Sequence, residues 1–170
     1  MEYRLIRSKR KTISLEVTRG GEIVVRAPNR CSRAAADSFV AAHERWLKNA
    51  LERVWARELA HPEPDEAGRE ALIARAREVI PKRTAYFSAV MGLYPTGVRI
   101  TGAKTRFGSC SAKNSLCFSW RLMQYPDECV DYVIVHELAH IVHKNHGPEF
   151  YALIGSVLPD YKERIKKLKG

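Results

Sequence analysis

Apolar and polar residues alternate along the first 27 residues, which is the pattern of β-strands with one buried face. A basic turn at residues 9–11 and a second turn at Arg19-Gly20-Gly21 divide this region. Because short turns usually join strands that pair with each other, the pattern predicts an antiparallel β meander. Its three strands are expected at Arg4–Arg7, Thr12–Thr18 and Glu22–Arg26.

The apolar period changes from two to three or four residues after Ser32, so the next segment is expected to be helical. His61-Pro62 ends this pattern. A second helix is expected from about Asp65 to Met91, with Pro81 as a residue at which it can kink. The apolar residues expected to face the core from the first helical segment are Phe39, Trp46, Leu47, Ala50, Leu51, Val54, Trp55 and Leu59.

The second half of the chain combines short strands with helices. A short strand is expected at Gly97–Thr101, followed by two extended segments that residues 112–114 join into a hairpin. A helix is expected from Asp127, and a last helical stretch from about Pro148. The order of elements predicts an α+β fold. We expect one domain over 1–170, made of a β meander at 1–30, a helical part at 32–91 and a core at 96–170; the hairpin strands are Thr105–Ser111 and Ser115–Leu122.

The helix predicted after Asp127 carries His136-Glu137-Leu138-Ala139-His140. Residues four apart lie on one face of a helix, so His136 and His140 can direct imidazole nitrogens at one metal ion. Glu137 then lies beside the open coordination position, where it can take a proton from a water that the metal activates. The spacing predicts a zinc hydrolase centre with Glu137 as general base.

Two histidines downstream are candidates for a third metal ligand. His143 continues the helical face, but in an unbroken helix it lies about 10 Å along the axis from His136. His146 follows the expected helix end, and Asn145, Gly147 and Pro148 allow the chain to turn back there. We therefore expect His146 to be the ligand, with His143 as a supporting or partly exposed residue.

The net charge of +10 is concentrated at two places. Residues 1–33 hold nine Arg or Lys against three Glu, a net charge of +6. Such a field favours an acidic partner, including nucleic acid or a nucleotide, and the alternative is a basic surface that only keeps the protein soluble. The second cluster comprises Lys162, Arg164, Lys166, Lys167 and Lys169.

The apolar residues are distributed as in a protein outside the membrane. The first twenty residues contain no apolar run, and no later stretch approaches 18 uninterrupted apolar residues. We expect no signal peptide, no membrane association and a cytoplasmic location. The cysteines show no Cys-x-x-Cys spacing and are expected to be reduced, although Cys110 and Cys117 could face one another across the hairpin.

Five segments carry a resemblance to a known family: Val24–Pro28, Lys104–Ser111, Ser119–Leu122, Asp131–His140 and His146–Phe150. Together they resemble the YgjP-like metallopeptidases, small bacterial proteins of zincin fold that are related to the SprT-like and WLM proteases. The resemblance implies one zinc ion held by His136, His140 and His146, catalysis by Glu137, and a zincin-like core with a β-hairpin beside the active-site helix. Phe107 departs from the family pattern, which usually has tryptophan there.

The resemblance also implies how a substrate would bind. In zincin folds, a strand beside the active-site helix offers its free edge to an extended peptide. Thr105–Ser111 or Ser115–Trp120 would be that strand here. Arg106 is a candidate for binding a carboxylate or stabilising the oxyanion, or else an arginine that packs on Phe107 at the surface. Further substrate-binding candidates are Ser109 and the phenols of Tyr132 and Tyr151.

Three functions follow from these observations. The first is zinc-dependent hydrolysis of peptide bonds in a peptide or protein substrate. The second keeps the metal centre but has a nucleotide phosphoanhydride as substrate, which would use the basic surface. The third is a DNA-associated protein of SprT-like type, in which proteolysis serves repair or the metal is structural. Three ligands with Glu137 beside the fourth position favour a catalytic metal over a structural one.

Overall fold

The computed structural model describes residues 1–18 and 20–169, and the chain forms two compact units, Met1–Pro62 and Glu63–Gly170. Each unit has its own hydrophobic core. The expectation of one functional domain over the whole chain stays a prediction.

A three-stranded sheet forms the first unit together with two helices. The strands are β1 (Arg4–Ser8), β2 (Ser14–Val17) and β3 (Ile23–Pro28), in the order β1-β3-β2. β2 runs antiparallel to β3, but β1 runs parallel to it. The predicted meander is therefore wrong in its order. Ile23, Val24 and Val25 are at most 6% exposed, and a strand that is buried on both faces takes the centre of a sheet.

The first helical segment is divided at His43 into α1 (Arg33–Ala42) and α2 (Glu44–Ala60). Ser32 caps α1, because its hydroxyl oxygen accepts a hydrogen bond from the Ala35 amide at 3.1 Å. Leu47 is fully buried, whereas Trp46, Trp55 and Leu59 are exposed, contrary to the prediction. Trp46 and Trp55 are nine residues apart and therefore lie on opposite sides of a helix, so one face cannot bury both.

The second unit begins with α3 (Glu66–Met91), which Asp65 caps by accepting a hydrogen bond from the Gly68 amide at 2.8 Å. Gly92 ends the helix with φ +65°. The strands are β4 (Gly97–Thr101), β5 (Gly108–Cys110) and β6 (Ser115–Ser119), in the order β4-β6-β5. β5 and β6 form the predicted antiparallel hairpin, and β4 pairs with β6 in parallel.

The remaining helices surround this sheet. A 3₁₀ helix (Trp120–Gln124) leads into α4 (Asp127–Ala139), and α5 (Pro148–Val157) and α6 (Tyr161–Lys169) follow. The single last helical stretch that the sequence predicted is thus two helices. Val130, Ile134 and Leu138 of α4 are fully buried in the core of the second unit, as expected from their spacing. The α+β class is confirmed.

The cysteines are free thiols. Cys117 lies opposite Ser109 in the hairpin register, and Cys110 lies opposite Leu116. Within residues 1–18 and 20–169, no helix is both long and apolar enough to cross a membrane.

Candidate metal centre

The chain reverses direction directly after α4. The helix ends at Ala139, whose carbonyl oxygen accepts hydrogen bonds from the amides of Val142 and His143 at 3.2 and 2.9 Å. Lys144 then donates to the Asn114 side chain in the hairpin turn at 2.8 Å. Pro148 occupies the first turn of α5, where a missing N–H has no cost. This turn returns the chain to the face of α4 that carries the histidines.

The turn brings three histidines together: His136, His140 and His146 each offer a ring nitrogen, and these nitrogens lie within 4.8 Å of one another. The Nε2 atoms of His136 and His146 are 3.2 Å apart. Two ligands at 2.0–2.1 Å from a tetrahedral zinc ion would be about 3.3–3.4 Å apart. The arrangement therefore fits a metal ion.

Hydrogen bonds on the opposite ring atoms orient two of these imidazoles. Nδ1 of His136 lies 3.2 Å from the Tyr132 hydroxyl, and Nδ1 of His140 lies 2.9 Å from the carbonyl oxygen of His143. The carbonyl can only accept, so His140 carries its proton on Nδ1 and leaves Nε2 free for the metal. His143 thus supports the site through its main chain, and its ring lies outside the cluster.

The environment of the cluster favours neutral imidazoles, the form that binds metals. Burial lowers the pKa of His136 to about 4, and positive charge on His140 and His146 adds to that shift. Burial also lowers the pKa of His140. Phe150, which is fully buried, lies beneath the three rings with centroids 4.6–4.9 Å from theirs. Its apolar ring helps to keep water away from one side of the site.

Glu137 is buried beside the cluster, with 6% of its surface exposed. Burial raises the pKa of its carboxyl group to about 7, and the positive charge of Arg106 opposes that shift. β5 packs directly against it: a Cβ atom on Gly108 would lie 2.6 Å from both Cγ and Oε1 of Glu137. The backbone of Gly108 does not have a positive φ, so its conformation does not require glycine. The close approach of Glu137 does.

The remaining candidates lie at different places around the site. Arg106 is exposed and close enough to act on the Glu137 carboxyl electrostatically. Ser109 is half-buried in β5 opposite Cys117. Tyr151 lines the pocket next to the cluster, with its ring 6.4 Å from that of His146. Their roles in substrate binding stay predictions.

Sequence reasoning missed the positions of Tyr132 and Gly108. The sequence makes Tyr132 a candidate phenolic donor to substrate, but its hydroxyl lies 3.2 Å from Nδ1 of His136, and burial raises the pKa of the phenol to about 12. It precedes His136 by four residues, so helical spacing alone could have placed them together. The contact between Gly108 and Glu137 joins a strand to a helix and has no local sequence signal.

We expect Gly108→Ala to lower kcat for peptide hydrolysis by about 10²-fold, with bound metal unchanged. The new methyl group must displace the Glu137 carboxylate, and misplacing a catalytic group by about 1 Å has an effect of that size. Metal content by mass spectrometry and steady-state kinetics would measure the two quantities separately.

Gly97→Ala is the matched control for this variant. A Cβ atom at Gly97 would meet Ser115 Oγ at 3.7 Å, an ordinary contact, and Gly97 lies in β4 rather than β5. If Gly108→Ala retained wild-type kcat, the contact with Glu137 would have no part in placing the carboxylate.

A helix with two histidines and a glutamate, completed by a third histidine on the returning chain, is an arrangement typical of metal-dependent hydrolases. The family model described as YgjP-like, metallopeptidase domain matches residues 11–73 and 63–170. The chain belongs to this family, and is thus a metal-dependent peptidase with a catalytic metal.

Two solved structures are similar to part of the chain. One is the metallopeptidase zymogen of Pyrococcus abyssi abylysin, with 21% identity and a TM-score of 0.49 over 53% of this chain and 91% of that one. The other is the metallopeptidase zymogen of Methanocaldococcus jannaschii jannalysin, with 22% identity and a TM-score of 0.48 over 52% and 92%. No curated protein matches the chain.

Proposed function

We propose that this protein is a zinc-dependent peptidase in which His136, His140 and His146 bind one zinc ion and Glu137 is the general base. The observation that carries the proposal is the cluster of three histidine nitrogens within 4.8 Å, beside a buried carboxylate. Three imidazoles also suit cobalt, nickel or copper, and zinc is the usual occupant of this motif.

Glu137 would move the proton in this reaction. When bound, the zinc ion would polarise the peptide carbonyl and lower the pKa of a water molecule toward about 7. Glu137 would take a proton from that water on its carboxylate and deliver it to the nitrogen of the leaving amine. Gly108 leaves the space that the Glu137 side chain occupies, because a Cβ atom there would clash with it.

The order of the second sheet favours β5 as the strand that binds substrate. β6 lies between β4 and β5, so it has no free edge, and this argues against Ser115–Trp120. β5 is an edge strand, and Gly108 lines the pocket that contains Glu137 and His136. An extended peptide would pair with β5 through main-chain hydrogen bonds and bring a peptide bond to the metal.

The alternatives receive less support. A phosphoanhydride substrate needs cationic groups, and among the described residues that line the pocket beside Glu137 only Lys169 is a lysine or arginine. For a nucleic-acid partner, the basic first unit is the relevant surface. Arg4, Arg26 and Arg33 each lie within 3.4 Å of a carboxylate, so these three guanidinium groups are less available to bind phosphates.

The test is to compare metal-free and zinc-loaded protein on an unfolded protein and on nucleoside triphosphates. We expect one zinc ion per chain, cleavage of the unfolded protein only in the loaded form, and no release of phosphate. If the loaded protein released phosphate and did not cleave the unfolded protein, the peptidase proposal would be wrong and the protein would be a nucleotide hydrolase. Hydrolysis that is unaffected by removing the metal would contradict both.

A further inference from the structure

A pocket of about 460 Å³ opens beside Glu137 and His136, and the proposed chemistry accounts for only one side of it. That volume lies within the roughly 300–1,000 Å³ that is usual for ligand pockets. Away from this carboxylate, one part of the wall is apolar and is formed by Val133 of α4, Phe107 before β5, and Ile165 and Leu168 of α6. Polar side chains also line the pocket, namely those of Tyr132, Tyr151 and Lys169.

The two residues from α6 form a wall that does not belong to the metal site. Tyr161, Ile165 and Leu168 lie at i, i+4 and i+7, on one face of the helix. Ile165 and Leu168 are half-buried, although the helix as a whole is strongly basic and has no fully buried residue. Ile165 and Leu168 pack against the core of the second unit and also line the pocket, so the pocket presents an apolar surface to a bound group.

α6 is held against its neighbours on both sides of this face. The ring of Tyr161 stacks on that of Tyr151 of α5, with centroids 6.0 Å apart and planes 20° apart. On the other side, Arg164 is mostly buried and donates to the carbonyl oxygen of Glu128 at the start of α4 at 3.2 Å. Lys167 donates to the Glu128 carboxylate at 2.6 Å. These contacts fix the distance between α6 and the active-site helix, and therefore the width of the pocket.

The position of the pocket relative to β5 identifies its occupant. Phe107 and Gly108 line the pocket and lead into the free edge of the sheet. Alternate side chains of a peptide paired with that edge point toward the same side, so one of them would enter the pocket next to the reacting bond. Lys169 also lines the pocket, and its positive charge disfavours a basic side chain there.

We propose that the pocket binds a large apolar side chain, such as Leu or Phe, of the residue next to the bond that is cleaved, and that Ile165 and Leu168 determine this preference. The inference rests on the proposed peptidase function and names its substrate class. An apolar pocket discriminates by roughly 10- to 200-fold for each methylene group that fits or is missing.

The experiment uses full-length, zinc-loaded protein and a panel of peptides that differ at one position, which carries Leu, Phe, Trp, Ala, Asp or Lys. We expect wild type to cleave beside Leu or Phe with kcat/KM at least 10-fold above that for Ala or Lys. Leu168→Ala widens the pocket and should shift the preference toward Trp. Leu168→Trp fills it and should shift the preference toward Ala, again by about 10-fold.

Leu153→Ala is the matched control. Leu153 is a partly buried core residue of α5 that does not line the pocket, so this variant should keep the wild-type order of peptides. A general loss of stability would affect Leu153→Ala and Leu168→Ala alike, whereas only the second should change the preference.

A binding measurement separates this inference from the proposed function. Zinc-loaded Glu137→Gln protein is titrated with the same peptides carrying a fluorescent label, with and without the Leu168 substitutions. If the protein cleaves the peptides but the Leu168 variants prefer the same side chains as wild type, the pocket proposal is overturned and the peptidase proposal stands. If the protein cleaves none of the peptides but binds those with apolar side chains, and the Leu168 variants change that binding preference, the peptidase proposal is overturned and the pocket proposal is supported. Absence of both cleavage and binding overturns both.

Discussion

Replacing Glu137 by glutamine is expected to lower kcat for peptide hydrolysis by about 10²–10⁴-fold while the protein still binds one metal ion. Glutamine has the shape of glutamate and would fill the same space against Gly108, but it cannot take up a proton from water. The three histidines are unchanged, so metal affinity should be close to that of wild type. Metal content and cleavage of a labelled unfolded protein would be measured on the same samples.

Glu149→Gln is the matched control. It removes the same charge from the first turn of α5, where the Glu149 side chain is 86% exposed and lies 3.9 Å from Nδ1 of His143. This variant should keep both metal and activity. If Glu137→Gln cleaved its substrate as fast as wild type, Glu137 would not be the general base. If Glu137→Gln lost the metal, its loss of activity would follow from the missing metal and would not show that Glu137 is the general base.

The grouping of the three histidines could be predicted from sequence because its determinants are local. His136 and His140 share a face of one helix, and that spacing holds wherever the helix lies in the fold. The return of His146 depends on a helix end and a proline start, which also have short-range signals in Asn145, Gly147 and Pro148. Tyr132 lies on the same helix and follows the same rule.

Contacts between distant segments could not be predicted in this way. The parallel pairing of β1 with β3 depends on which strand is buried on both faces, and alternation within each strand does not decide that. Gly108 meets Glu137, and Leu168 lines the pocket, only because the sheet and α6 pack against α4. The many lysines and arginines of α6 predicted a charged surface, and the sequence did not indicate that the helix also has an apolar face.

Replacing His146 by alanine is expected to remove most of the bound metal and reduce peptide hydrolysis to background. Nε2 of His146 lies 3.2 Å from Nε2 of His136, and the alanine variant lacks it. Only His136 and His140 would then remain as ligands. Losing a ligand should lower affinity by more than the roughly 10- to 100-fold that loss of an outer hydrogen-bond partner causes. Zinc titration with a competing chelator would measure the affinity.

Thermal unfolding provides a second measurement that does not depend on activity. A ligand that binds only the folded state stabilises it by about 2.7 kcal/mol at a free concentration of 100 Kd, so zinc should raise the Tm of wild type and much less that of His146→Ala. His143→Ala is the control, because the His143 ring lies outside the cluster and the main-chain carbonyl that accepts from His140 remains. If His143→Ala lost zinc and His146→Ala retained it, the third ligand would be His143, and the turn at 140–147 would have to rearrange when the metal binds.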